Sequence, residues 1–400
     1  MKNILVMTPL YPFPPFMANQ KDITGRIKLF QELGYRVMVA AFPLPWQEAH
    51  PEADGKAWDI DIELMPRSRA PAFKGYPVHR LWHRCRGLTS QASLEKLRAL
   101  IGRCRPDAVW FEYSSFAPLA RALARDYETQ IIFRAHNYES RHYFEKFRVD
   151  WPIEATPRRM PGKIVDLSLN LLGIDACESL MFKVASKVAG ISREDIRRYR
   201  VRYGRQDRLS YLPYFPPDAL AAHQTNRGKD TLDVFYLGAD LKNNLNRSGV
   251  DFIARKLVPC LQRQRIDGIH FHVLGKSPPE CYAGLPFLTL HGFVDDLNGF
   301  LADMDVAVVP VFYGTGFKVK GYECLRRGFP VVGSKRALSV FNGADGRDYF
   351  VCQEPEEFIE KLAALREADL RARTSANALS YMERDFSRAQ VLHQLADILS

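Results

Sequence analysis

What the chain lacks narrows its possible roles. No window of eighteen uninterrupted apolar residues occurs among its 400 residues, which excludes a membrane-spanning helix by length. The seven cysteines, Cys85, Cys104, Cys177, Cys260, Cys281, Cys324 and Cys352, are odd in number and scattered. They show no zinc or redox spacing, so a reduced, cytoplasmic chain is expected. The opening run Ile4 to Met7 is too short for a secretory signal and ends in Thr8-Pro9 rather than a cleavage site, so it reads as a first buried strand. Short repeats, coiled coil and low-complexity tracts are missing. So are a Gly-x-Ser-x-Gly elbow and any placed Ser-His-Asp set. No nucleic-acid module accompanies the positive charge, and nucleic acid is not expected as a partner.

Hydrophobic residues make up 46% and charged residues 26%, which suits a globular protein with a sizeable core. This length fits two domains of about 150–200 residues each. The net charge of +10 is unevenly placed: residues 1–225 hold 34 Lys/Arg against 24 Asp/Glu, whereas residues 226–400 hold 22 of each. Dense spots run from Arg67 to Arg86 and from Arg193 to Arg208, the latter with Tyr199 and Tyr203 interleaved. A solvated helix face is the plain reading. An anionic membrane surface at its cytoplasmic side or an anionic acceptor is the next, because each basic side chain beside anionic lipid gains about 1 kcal/mol.

Strand-like apolar runs alternate with helical stretches, the pattern of parallel sheets with crossover helices. Lys2 to Met7, Arg36 to Ala41, Ala108 to Phe111, Gln130 to Arg134 and Lys187 to Ile191 read as strands, with a helix from Ile23 to Leu33 ended by Gly34. The proline-rich Leu209 to Asp218 and the polar Ala222 to Asp230 mark a linker. A second series then begins: Asp233 to Leu237, His270 to Leu274, Phe287 to Leu290, Val306 to Val311 and Pro330 to Gly333. Phe386 to Leu399 reads as one amphipathic helix returning to the first domain. The division expected is 1–217, with 385–400 packing back on it, and 228–384. Functional residues should follow strands, because ligands of open α/β sheets sit beyond the carboxyl ends.

The richest segment runs from Val308 to Val332. An apolar strand leads into Gly314-Thr315-Gly316-Phe317-Lys318-Val319-Lys320, and a helix is expected to start there and end at Gly328. Glycines let the backbone approach a ligand, and amides at a helix start attract phosphate. Lys318 and Lys320 would sit where the helix dipole disfavours cations, which suggests that an anion offsets the repulsion. Glu323, about two turns in, could reach the hydroxyls of a sugar or ribose. Asp59-Ile60-Asp61 and Asp303-Met304-Asp305 spell Asp-x-Asp. The first alternates like a half-exposed strand and the second precedes a buried one, so no metal site is expected at either.

Gly-Thr-Gly-Phe-Lys-x-Lys-x-x-Glu followed by Gly-x-Pro-Val-Val resembles the nucleotide-sugar site of retaining GT-B glycosyltransferases, the large group 1 family that includes sucrose and mannosyl transferases. Phe235-Tyr236-Leu237-Gly238, then Asn246-x-x-Gly249, resembles the opening strand, loop and helix of that family's second domain. His272-Val273-Leu274-Gly275 and Gly292-Phe293-Val294-Asp295-Asp296 resemble its next strand and the turn beside the base. Arg134-Ala135-His136-Asn137 resembles the family's histidine loop. The sequence departs from many relatives at Thr315, where they carry a first glutamate, and at Ala18-Asn19, where they carry two glycines.

The resemblance implies a GT-B fold, two Rossmann-like domains facing each other across a cleft. It also implies transfer of a sugar from a UDP- or GDP-linked donor to a hydroxyl of a glycan or lipid-linked acceptor, without a metal or other cofactor. By the same likeness Glu323 holds the ribose, while the backbone of Gly314, Thr315, Gly316, Phe317, Val319 and Lys320 holds the diphosphate. Gly238 and Asn246 lie beside the donor, and the backbone of Phe293 and Val294 meets the base. Lys242, with Lys318 as its rival, neutralises the leaving phosphate, and His136 contacts donor sugar or acceptor. An epimerase or phosphorylase on the same fold and a non-enzymatic binder of anionic polymers are the alternatives. The first would need acidic groups around the sugar or a cofactor lysine; the second is motivated by the basic half.

Overall fold

The computed structural model describes residues 2–67, 78–154, 160–204, 206–217 and 230–400. The polar stretch 222–229, the expected domain start at 228 and the basic residues Arg69 and Lys74 lie outside them. The chain divides into two units. One takes in Met1–Asp218, Thr315–Phe317 and Arg388–Ser400; the other takes in Ala219–Gly314 and Lys318–Ser387.

The first unit is built on strands β1 (Lys2–Thr8), β2 (Tyr35–Ala41), β3 (Asp61–Leu64), β4 (Ala108–Glu112), β5 (Gln130–Ala135), β6 (Lys187–Gly190) and β7 (Leu209–Tyr211). They form a seven-stranded sheet of order β3-β2-β1-β4-β5-β6-β7, parallel at every pairing. Helices cover both faces, so the strands read as continuous apolar runs rather than alternating ones. Leu5, Met7, Val109 and Phe111 point to one face with Leu97, Leu119, Ile174 and Met181. Ile4, Val6, Val37 and Trp110 point to the other with Ile23, Ile27, Phe30 and Leu395. Each such fully buried aliphatic or phenyl side chain contributes about 1.5–3 kcal/mol.

The helix after β1 spans Ala18–Glu32, a turn earlier than the apolar spacing implies, because its first turn is polar. Gly34 follows it at φ 80°, with its amide donating to the Gln31 carbonyl. Ser192 caps the helix Arg193–Tyr203 by accepting from the Asp195 amide at 3.0 Å. The C-terminal helix expected from Phe386 to Leu399 spans Arg388–Leu399, after a separate helix Ala368–Phe386 that ends at Ser387. The last helix buries Val391, Leu395 and Ile398 in the first unit, where Gln130 donates to the Ile398 carbonyl.

The second unit carries β8 (Leu232–Asp240), β9 (Ile269–Lys276), β10 (Leu288–Gly292), β11 (Val306–Val309), β12 (Val331–Ser334) and β13 (Phe350–Cys352). Their order is β10-β9-β8-β11-β12-β13, again parallel throughout. The direction of winding reverses between β8 and β11, and between β1 and β4 in the first unit. Ligands of doubly wound sheets settle at such a switch point. No helix of the described residues is long and apolar enough to cross a membrane.

Candidate functional site

In the second unit the glycine-rich segment leaves the carboxyl end of β11, beside the carboxyl end of β8. Gly314, at φ 94°, and Gly316, at φ 72°, turn the chain, and the helix Val319–Arg326 begins only after this loop. Lys318 is its N-cap, and Glu323 lies just past the first turn rather than two turns in. The first bond of the helix joins the Tyr322 amide to the Lys318 carbonyl at 3.1 Å, and the amides ahead of it have no partner within the helix. Amides in that position of a helix are the groups that attract anions.

Both lysines of the motif reach backbone carbonyls. The Lys318 ammonium, 8% exposed, donates to the Gly314 carbonyl at 2.8 Å and closes the loop on itself. The Lys320 ammonium donates to the Leu237 carbonyl at 2.7 Å and lies 5.3 Å above the Tyr236 ring, which ties the helix start to the end of β8. Burial pushes Lys320 down to about 8, with the charge of Glu323 opposing the shift.

The β8 end is shaped by close contacts. A Cβ on Gly249 would meet the Tyr236 hydroxyl at 2.7 Å, which accounts for the glycine three residues after Asn246. That hydroxyl donates to the Asn246 carbonyl at 2.8 Å, and the Asn246 side chain donates to the Asp240 carbonyl at 3.0 Å. Gly238 sits in a similarly narrow place, 2.7 Å from the Leu274 carbonyl oxygen at its would-be Cβ. Lys242 is exposed on the turn after β8, its amide accepted by Asp240. Beyond β10, Phe293 is 61% exposed with the Lys276 ammonium 4.8 Å from its ring, and Val294 follows half-buried. The Asp-x-Asp pairs have structural roles. Asp59 is the left-handed cap of the helix Pro51–Trp58, and Asp305 accepts from the Asp233 amide at 2.9 Å.

In the first unit His136 follows β5 and sits in a buried ionic network not foreseen from sequence. Its Nε2 lies 2.5 Å from a Glu112 oxygen at the end of β4. The other Glu112 oxygen accepts from Arg26 at 2.5 Å and from the Trp110 indole at 2.9 Å. Asp22 accepts from Arg26 at 2.9 Å and from Arg134 at 3.0 Å. Burial alone would raise the Asp22 carboxyl, but Arg134 and Arg26 outweigh it and hold it below the usual range. Glu112 is likewise lowered, Arg26 and His136 overcoming its desolvation.

An ionised Glu112 accepts from Nε2, and the ring's other nitrogen, Nδ1, is turned toward Asp22 in the same buried network. Nδ1 is 3.8 Å from Asp22, and the ring stacks on Tyr113 at 4.2 Å. Asp22, Glu112 and His136 bring three donor atoms within 4.8 Å, but two guanidiniums already neutralise both carboxylates, so the set does not suit a cation. Thr315–Phe317 group with this unit: Phe317 stacks on Tyr214 at 5.8 Å, and a Cβ on Gly316 would come within 2.5 Å of the His136 carbonyl oxygen.

Residues 232–368, most of the second unit, match the family described as Glycosyl transferases group 1. No curated protein matches the sequence. Solved structures resemble the whole chain at low identity. Sucrose-phosphate synthase from Thermosynechococcus elongatus is 13% identical with a TM-score of 0.66, covering 100% of this chain and 98% of its own. Anabaena HepE in complex with UDP is 13% identical with a TM-score of 0.66, over 100% and 99%. An S. aureus TarM variant in complex with fondaparinux, α-GlcNAc-glycerol and UDP is 10% identical with a TM-score of 0.66, over 100% of both chains. The fold is therefore GT-B, with two Rossmann-like domains.

Proposed function

We propose that this chain is a retaining glycosyltransferase that moves a hexosyl group from a UDP- or GDP-linked sugar to a hydroxyl of a glycan or lipid-linked acceptor, in the assembly of cell-surface polysaccharide or lipopolysaccharide. One observation carries the reading: the Gly314–Glu323 segment stands at the carboxyl end of β11 against that of β8, the switch point of its sheet, with Lys320 bonded to the Leu237 carbonyl. The match of residues 232–368 to a glycosyl transferase family supports it, as does the presence of UDP in the structure of the similar HepE.

On this reading the diphosphate meets the amides at the start of the Val319 helix, Glu323 takes the ribose hydroxyls, and the base lies near Phe293 and Val294. The bond from the anomeric carbon to the diphosphate breaks while the acceptor oxygen bonds the same face, giving retention. Negative charge grows on the leaving diphosphate, so fixed donors aimed there lower the barrier most. The helix amides and the exposed Lys242 supply that charge complement, and the chemistry proceeds without a metal. His136 is the residue of the first unit assigned to contact the donor sugar or the acceptor.

Calorimetry with UDP and GDP, followed by turnover on a panel of sugar nucleotides, tests the reading. Glu323→Ala is expected to weaken nucleotide binding tenfold or more, about 1.4 kcal/mol. Lys242→Ala is expected to slow turnover by a similar factor. Wild-type affinity and turnover in both variants would remove the assignment.

A further inference from the structure

The helix Met160–Val184 is apolar on two opposite sides, and among the described residues only one is covered. Gly173, Ile174, Cys177 and Met181 pack inward, with Gly173 against the backbone of Trp82. About 150° away round the helix, Ile164, Val165, Leu169 and Leu172 stand 48%, 57%, 40% and 56% exposed, within an arc of about 140°. A helix apolar all round belongs in a core or in lipid, and a contiguous exposed apolar face marks an interaction surface. The acid on this face, Asp175, is ion-paired by Arg202 of the Arg193 helix, next to Val201, which is 89% exposed. The helix Glu139–Glu154 packs against the Met160 helix and exposes Phe144 on one face with Arg141 and Arg148. Arg141 is paired with Glu145, and Arg148 has no ion-pair partner among the described residues.

We propose that this face of the first unit, the outer side of the Met160 helix with Phe144 and the flanking arginines, seats the protein on an anionic lipid surface. Apolar side chains enter the headgroup boundary while guanidiniums meet lipid phosphates, the pattern by which interfacial helices bind. A second copy of this chain suits the face less well, because it would bring the same arginines together. The inference is independent of the sugar-nucleotide site, which lies on other elements.

Sedimentation with vesicles of phosphatidylcholine alone, and of phosphatidylcholine with one third phosphatidylglycerol, tests it on the full chain. The protein is expected to sediment with the anionic vesicles, to release as salt rises, and to remain in solution with phosphatidylcholine alone. Val165→Ser/Leu172→Ser, both at exposed positions, should weaken anionic-vesicle binding at least tenfold while leaving the melting temperature and UDP affinity unchanged. Equal sedimentation with both vesicle types, no sedimentation with either, or full binding by the double variant would overturn the proposal. So would a concentration-dependent dimer abolished by the same variant without any vesicle binding.

Discussion

Replacing Arg26 by methionine tests the buried network most directly. The guanidinium is 3% exposed and bridges Asp22 at 2.9 Å and Glu112 at 2.5 Å. Removing one partner from a buried ionic cluster costs about 3–5 kcal/mol, because the remaining charges stay desolvated. Glu112 keeps His136 and Trp110, and Asp22 keeps Arg134, so the lower end, about 3 kcal/mol, is expected. For a domain of this size each kcal/mol shifts the melting temperature by about 2–4 °C, which gives a drop of about 6–12 °C at neutral pH. The pH dependence separates this cause from a packing loss. Both carboxyls are held below their ordinary values, so in the wild type their contribution is present above the unfolded range of about 4 and is lost only below it, as pH falls toward the lowered values. In Arg26→Met the deficit relative to wild type should shrink as pH is lowered, since a proton can then neutralise the unpaired carboxylate, and Arg26→Met/Glu112→Gln should recover part of the loss. Scanning calorimetry across pH 4 to 8 reads both. A loss below about 1 kcal/mol, or a deficit constant over that range, would refute the reasoning.

Two further outcomes are expected. Gly316→Ala places a Cβ at φ 72° and within 2.5 Å of the His136 carbonyl oxygen, so the loop must shift; UDP binding measured by calorimetry should weaken tenfold or more, and wild-type affinity would show that the loop does not shape the site. In the second unit Asp233, His272 and His291 form a chain of contacts at 3.1 and 2.9 Å beside His270, which is bonded to Thr289, and Phe300, which packs on His291. Burial and neighbouring histidines hold His270 and His291 below their ordinary values, so their contribution is full above pH about 6.5 and falls away below it. Thermal melts from pH 8 to 5 should decline below that point, and His270→Gln/His291→Gln should flatten the decline; an unchanged slope in the variant would place the acid sensitivity elsewhere.

The strands of both sheets were legible because a parallel sheet covered on two faces needs short unbroken apolar runs such as Val306 to Val311. The edge strands β7 and β13, three residues each, were not, since three residues carry no periodicity. The glycine-rich segment was legible through its order of residues, yet the start of its helix was misplaced by the loop that Lys318 closes. The network around His136 was missed because Asp22 and Arg26, four apart on a helix, look like an ordinary surface pair. Burial makes them otherwise: they are 1% and 3% exposed. A signal did exist, in the charged residues Glu112 and Arg134 that occupy otherwise apolar central strands, where an ion persists only if another from a distant element meets it.

The two lysines of the glycine-rich segment have backbone partners that the order of residues does not reveal. Cations at a helix start suggest a waiting anion, but Lys318 and Lys320 each donate to a carbonyl, one within the loop and one at the end of β8. Their geometry makes them braces: Lys318 closes the loop on itself, and Lys320 holds the helix start against β8. A buried ammonium lowered to about 8 is also a weaker reserve of charge for a departing diphosphate than an exposed one. Lys242, on the turn after β8 with an exposed side chain, is the lysine we propose for that charge. On the proposed assignment rigidity and charge reside in different lysines, so loss of a brace should alter nucleotide affinity while loss of Lys242 should alter the rate.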